Sequence, residues 1–300
     1  FEILYYRKQH EHLQRLADYT IEMHFPELAQ AVDKYTRFFA EVVQRTAKLI
    51  AHWQAVGWSH GVLNTDNMSI LGLTLDYGPY GFMDDYDPGF ICNHSDYNGR
   101  YAFNQQPYIG LWNLSCLAQT LLPFAPKEEL KAALDGYQTS VDRHYHNHMR
   151  AKLGLVEDRA EDEALLQELK SLMVGSRVDY TIFWRELGTF SSDAEAKNER
   201  LREHFLNPER FDAWAVQYRE RLQSEQSRDE ERRIRMDRVN PKYVLRNYLA
   251  QGAIEKAQQK DYAEIDRLLK LAKNSPPSIG PAKLTSKRTA CPPKRRKPKC

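Results

Sequence analysis

The sequence lacks the marks of a secreted or membrane-spanning chain. Its four cysteines stand at positions 92, 116, 291 and 300, too few and too scattered for a disulfide-stapled scaffold. No two are spaced as CxxC, which excludes a zinc ribbon. No apolar run approaches the ~20 residues of a membrane-spanning helix. Glu2, Arg7 and Lys8 interrupt the start, so nothing there reads as a secretion signal. The first residue is Phe1, inside a dense aromatic stretch that runs to Tyr6, and we expect the chain to be part of something longer.

Acidic residues are missing from the C-terminal tail, where basic ones concentrate. Residues 274–300 carry eight Lys or Arg, no Asp or Glu, and six of the fourteen prolines. The other 273 residues hold 35 basic against 41 acidic side chains, a net of −6, so the overall +2 hides a mildly acidic body with a basic tail. That tail composition predicts disorder, and the run Lys294-Arg295-Arg296-Lys297 reads as solvated rather than as a nucleic-acid site.

What is present in quantity is helical rhythm. Phe38, Phe39, Val42, Val43, Thr46, Leu49, Ile50 and Trp53 recur at helical spacing; so do Leu165, Leu166, Leu169, Leu172 and Met173. Ile265, Leu268, Leu269 and Ala272 predict a third helix, with Asp261 and Glu264 as its N-terminal cap. Residues 225–238 contain ten charged residues of fourteen, of mixed sign, and predict a solvated helix. The rhythm breaks over residues 57–110, rich in Gly, Asn, Asp, Tyr and Pro. There Met68–Leu71 and Leu73–Leu75 predict a small β-hairpin turning at Gly72.

Polar residues bracket that hairpin. His60-Gly61-Val62-Leu63-Asn64-Thr65-Asp66-Asn67 precedes it and Asp76-Tyr77-Gly78 follows. The protein-kinase pattern is His-Arg-Asp-Leu-x-x-x-Asn, then Asp-Phe-Gly. His60 falls on the kinase His, Asn67 on the metal-holding Asn, and Asp76 on the Asp that binds Mg²⁺. An Asn and an Asp suit Mg²⁺, which takes few protein oxygens, keeps waters and bridges nucleotide phosphates. The kinase catalytic Asp is replaced by Val62, which accepts no proton. Asp66, displaced along the same loop, supplies a carboxylate that can take a proton from an attacking hydroxyl. The site reads as redirected.

The stretch His60–Asp76, continued by Tyr77-Gly78-Pro79-Tyr80-Gly81-Phe82-Met83-Asp84-Asp85-Tyr86-Asp87-Pro88-Gly89-Phe90-Ile91-Cys92-Asn93-His94-Ser95-Asp96, strongly resembles the selenoprotein O family, called YdiU in bacteria. A second matching block is Asn240-Pro241-Lys242-Tyr243-Val244-Leu245-Arg246-Asn247-Tyr248-Leu249. The resemblance runs from Phe1 to about Leu271. It implies a pseudokinase that transfers AMP from ATP to Ser, Thr or Tyr hydroxyls of proteins, with the nucleotide flipped and pyrophosphate leaving. It also implies roles: Asp66 as proton acceptor, Asn67 and Asp76 as Mg²⁺ ligands, and Asp76 against the nucleotide. UTP with Mn²⁺ is the other nucleotide–metal pair the family implies.

The fold expected on this basis is mainly α with a small β-hairpin, a protein-kinase-like C-terminal lobe with a helical extension. The N-terminal lobe, with its phosphate-binding Lys, Glu partner and glycine-rich loop, precedes the part seen here. Residues 1–125 are expected as the lobe core with the active-site loops, 126–273 as the extension, and 274–300 as the tail. The expected partners are ATP and proteins bearing hydroxyl side chains, with no membrane and no nucleic acid. The expected place is the bacterial cytoplasm, with the mitochondrion as alternative. Two other readings stay open: a kinase that uses Asp66 as base and transfers the γ-phosphate, and a catalytically silent binding fragment.

Other signals carry less. His60 reads as a structural histidine bridging loop backbone. Asp84, Asp85 and Asp87 have the wrong spacing for a calcium loop. His144, His146 and His148 lack further zinc ligands and read as an exposed helix face. His94, Ser95 and Asp96 are sequence neighbours and cannot point at one another as a triad. Cys92 with Cys291 or Cys300 is a candidate redox pair by the resemblance, but free thiols are the preferred reading, with Cys116 a small helix hydrophobe.

Overall fold

The computed structural model of the chain describes residues 1–274. They are mainly helical, with one two-stranded antiparallel sheet. The first segments are α1 (Glu2–Tyr6), α2 (His10–His24) and the long α3 (Lys34–Val56). The apolar stripe read from the sequence is the buried face of α3, with Phe38, Phe39, Val42, Val43, Ala47, Ile50 and Ala51 at 0–1% exposure. The helix stops at Gly57, whose φ of +70° is the left-handed turn that a side chain resists.

The chain then enters β1 (Trp58–Ser59), which pairs with β2 (Gly81–Phe82) in the register Trp58↔Phe82 and Ser59↔Gly81. The sheet is therefore not the hairpin expected at 68–71 and 73–75. Those residues form an irregular loop between the strands. Its turn is tight: Gly72 has φ +67°, and a Cβ there would lie 2.9 Å from the Arg45 carbonyl oxygen. The loop is held from outside, since Trp53 Nε1 donates to Thr74 Oγ1 at 3.0 Å, and so it has no need of a ladder of its own.

The remaining helices are α4 (Gln106–Leu121), α5 (Lys127–Asp135), α6 (Tyr137–Lys152), α7 (Asp162–Ser176), α8 (Tyr180–Leu187), α9 (Glu199–Arg202), α10 (Pro208–Ser224), α11 (Asp229–Val239), α12 (Asn247–Gln258) and α13 (Ala263–Asn274). Two hydrophobic clusters form. One gathers Phe25, Phe38, Ile50, Leu114, Leu121 and Tyr137 around α3 and α4. The other gathers Leu169, Trp184, Phe211, Trp214 and Met236 from α7, α8, α10 and α11.

Two helices depart from expectation. The histidines of α6 do not all face solvent, because α6 packs along α3. His148 is 8% exposed, its ring 5.2 Å from that of His52; only His146 lies outside, paired with Glu163. Burial and the positive charges of His52, His144, Lys48 and Lys152 push the His148 imidazole down to about 4. The charged α11 is likewise not solvated all round. Arg232 is fully buried; its guanidinium donates to Asp229 at 2.7 Å and to the Phe190 carbonyl, while Nε finds no partner among the described residues. The cap expected for α13 forms through Asp261, which accepts from the Ala263 N–H at 3.0 Å. Glu264 instead holds Arg267 and Lys256.

Among the described residues no helix is long and apolar enough to cross a membrane. Residues 275–300, with Cys291, Cys300 and the KRRK run, lie outside the described part.

Candidate functional site

The site is built where β1 hands the chain to the His60–Asn67 loop. Gly61 follows at φ +81°, and a Cβ there would sit 2.7 Å from Cys92 Sγ and 2.9 Å from the Pro79 carbonyl oxygen. No larger residue fits this crossing of the loop with the segment after β2. Cys92 is buried and its thiol donates to the Ser59 carbonyl at 3.6 Å. Asn93 Nδ2 donates to the Gly61 carbonyl at 3.2 Å.

His60 is the hub. It is 1% exposed, with Nε2 3.0 Å from the Leu75 carbonyl and Nδ1 3.4 Å from the Val62 N–H. Both contacts hold only for a neutral ring protonated at Nε2. Burial pushes the imidazole below its ordinary value and keeps it neutral. The structural role read for His60 is thus the one it plays, and it links the loop before the 68–75 segment to the residue just ahead of Asp76.

The ring lies within electrostatic reach of Asp76 and of the Asn67 backbone. Nine residues apart in sequence, Asn67 and Asp76 thus both come within the electrostatic influence of one histidine. Asn67 sits at the end of a single 3₁₀ turn, Thr65–Asn67. Its Nδ2 donates to the Val62 carbonyl at 2.9 Å, and among the described residues no donor bonds Oδ1, the atom a hard cation takes. Asp76 is exposed and has φ +56°, an uncommon conformation that for a non-glycine residue marks stored strain.

Asp66 is exposed. It lines a cavity of about 290 Å³ with Glu2, Thr65, Met68, Asn113 and Cys116. Thr65 Oγ1 donates to Glu2 at 2.8 Å, closing one wall. No hydrogen bond joins Asp66 to Asn67 or to Asp76. Val62, at the kinase catalytic position, is half-buried.

Three supporting residues escape the sequence reading. Gln106, 1% exposed at the start of α4, accepts from the His60 N–H at 2.9 Å and donates to the Trp58 carbonyl at 3.0 Å. Two turns on, Asn113 Nδ2 donates to the Leu63 carbonyl at 3.1 Å. Tyr101 OH donates to Asn64 Oδ1. The available signal was the pair Gln106 and Asn113 on the apolar stripe of α4 with Ile109, Leu114 and Leu117, where a polar group must find a partner.

The family model described as protein adenylyltransferase SelO matches residues 1–273. The chain belongs to the SelO family. A relative named protein nucleotidyltransferase YdiU from Myxococcus xanthus is 57% identical over 269 residues, 90% of this chain and 55% of the relative. One of the same name from Cronobacter sakazakii is 52% identical over 274 residues, 91% of this chain and 56% of the relative. The chain thus spans about half the length of the curated relatives it matches. In this SelO chain the Asn240–Leu249 block comes back to the site. Arg246 holds Asp179 through both carboxylate oxygens at 2.7 Å and Asp84 at 2.9 Å. Asn247 Oδ1 packs over Gly81 of β2. Asp84, Asp85 and Asp87 are occupied as loop residues: Asp85 pairs with Arg177, and Asp87 accepts from the Gly89 N–H.

Proposed function

We propose that the intact protein transfers AMP from ATP to Ser, Thr or Tyr hydroxyls of proteins, and that this chain is the kinase-like C-terminal lobe with its helical extension. The lobe core is residues 1–125 and the extension 126–273, with a nucleotide-clamping N-terminal lobe completing the protein in the bacterial cytoplasm. The observation that carries the reading is the His60 hub: its ring bonds the Leu75 carbonyl, next to Asp76, and the N–H of Val62, whose carbonyl in turn holds Asn67.

The donor set fits a magnesium ion, or manganese in its place. One amide oxygen and one carboxylate are few for a protein cage, and among the described residues no group of three or more acidic, His or Cys side chains could hold a metal. Mg²⁺ is bound in this way, by one or two protein oxygens plus waters and substrate phosphates. When bound it would neutralise phosphate charge; Asn67 and Asp76 would hold it.

The chain's own residues supply the rest. Asp66 accepts the proton of the acceptor hydroxyl as that oxygen attacks the α-phosphorus. The bond from the α-phosphorus to the bridging oxygen breaks, and pyrophosphate leaves with the electron pair. Val62 offers no competing base at the kinase position, and neutral His60 keeps the loop in register without joining the proton transfer.

The test uses ATP labelled at the α- or at the γ-phosphate, Mg²⁺ and a protein acceptor, with the complete enzyme and this chain in parallel. Label from the α position alone, lost in Asp76→Ala, is the expected result for the complete enzyme. Label from the γ position would make it a kinase and overturn the reading.

A further inference from the structure

The hairpin of α12 and α13 stands outside both hydrophobic clusters, and of its residues only Ala253 is buried among the described residues. An apolar groove of about 920 Å³ runs between the two helices, floored by Leu249, Ala253 and Leu268. Its outer lip is Tyr262, Ile265, Leu269 and Ala272. The first three are 58%, 43% and 48% exposed, an unusual concentration of bare apolar surface.

The spacing of these four is three, four, three. That is the narrow seam of a paired helix, not the broad stripe of a helix lying on a core. Leu268 and Leu271, on the adjoining flank, are the half-buried residues that face α12. The seam also has a symmetry of its own. Reversed about Arg267, Tyr262 falls on Ala272 and Ile265 on Leu269, so each large side chain meets a smaller one and the two middle residues match. Asp261 falls on Lys273. The acidic start of the helix, Asp261 and Asp266, would lie beside the basic end, Lys270 and Lys273, of an antiparallel copy. Glu264 is tied to Arg267 and to Lys256 of α12, and Arg267 also lines the groove.

We propose that this face docks a second copy of the chain, α13 against α13, antiparallel across a two-fold axis level with Arg267. The pairing is isologous, the same patch on both copies, and it closes at two. The partner's α13 fills the groove and gives a four-helix cluster. The inference does not depend on the activity proposed above.

The experiment is sedimentation velocity on the 300-residue chain under reducing conditions, so that cysteines cannot crosslink copies. A concentration-dependent dimer is expected, with dissociation constant on the order of 10 µM or tighter. Ile265→Glu with Leu269→Glu should be monomeric with unchanged helical circular dichroism, since Glu is a good helix former. Asp266→Lys alone and Lys270→Glu alone should each weaken self-association about three- to tenfold, and an equimolar mixture should restore it. A chain still monomeric at about 100 µM, the result expected if another part of the parent protein covers the seam, overturns the proposal. So does a dimer indifferent to the Glu pair, or charge variants that fail to recover on mixing.

Discussion

Replacing Gln106 by leucine isolates the forces that hold the active loop. The side chain is almost wholly buried, and its amide does two things: Oε1 accepts from the His60 N–H and Nε2 donates to the Trp58 carbonyl. Leucine keeps most of the volume and removes both bonds. Each backbone group left buried without a partner costs about 1–3 kcal/mol. Some of this is offset because the amide itself no longer has to be desolvated, so the net loss is about 2–4 kcal/mol. That is a factor of roughly 30 to 1,000 in the folding equilibrium. Urea unfolding followed by circular dichroism measures it, with Gln106→Ala as the comparison. If hydrogen bonding dominates, leucine is as harmful as alanine despite filling the space. If packing dominates, leucine costs much less. Hydrogen exchange adds a local readout, because the His60 amide should lose its protection in either variant. Leucine within about 0.5 kcal/mol of wild type, with the His60 amide still protected, would refute the account.

Further predictions follow from single contacts. The His148 imidazole, pushed down to about 4 from the ordinary 6.5, favours folding fully above pH 6.5 and progressively less as pH falls toward 4. The loss amounts to about 3 kcal/mol. His148→Leu should therefore lose less stability than wild type between pH 7 and pH 4.5 in urea titrations; equal losses would show that His148 does not carry the effect. Gly61→Ala places a Cβ at φ +81° against Cys92 Sγ and the Pro79 carbonyl. It should destabilise by about 2–4 kcal/mol through strain and overpacking. Cys92→Ala should recover part of that loss in a double-mutant cycle, and full additivity would mean the two residues do not touch.

The long helices were legible because burial leaves a period. The residues of α3 and α7 that recur at helical spacing are largely those the core covers. The sheet was not legible. Its strands are two residues each, Trp58–Ser59 and Gly81–Phe82, too short for any alternation, whereas the apolar run 68–75 that resembles a hairpin is held by Trp53 and Arg45. His148 was misjudged because polarity marks a face as hydrophilic without saying what packs on it. Arg232 was misjudged in the same way, since a guanidinium can be buried once its terminal nitrogens are partnered, here by Asp229 and the Phe190 carbonyl. Within the site, His60, Asn67 and Asp76 could be placed by motif. Gln106 and Asn113 could not, because their partners lie 46–50 residues away and only the fold brings them together.

The left-handed backbone of Asp76 sets stability against chemistry at a single position. Glycine adopts that conformation freely, so Asp76→Gly should leave the chain at least as stable, with a gain of up to about 1 kcal/mol from the relieved strain. Under the proposed mechanism the same change removes a metal ligand and ends transfer. A population of such chains screened for thermal stability alone would drift toward glycine here. One screened for labelling would keep the strained aspartate, and the ratio of the two residues under each regime would report which demand the position answers.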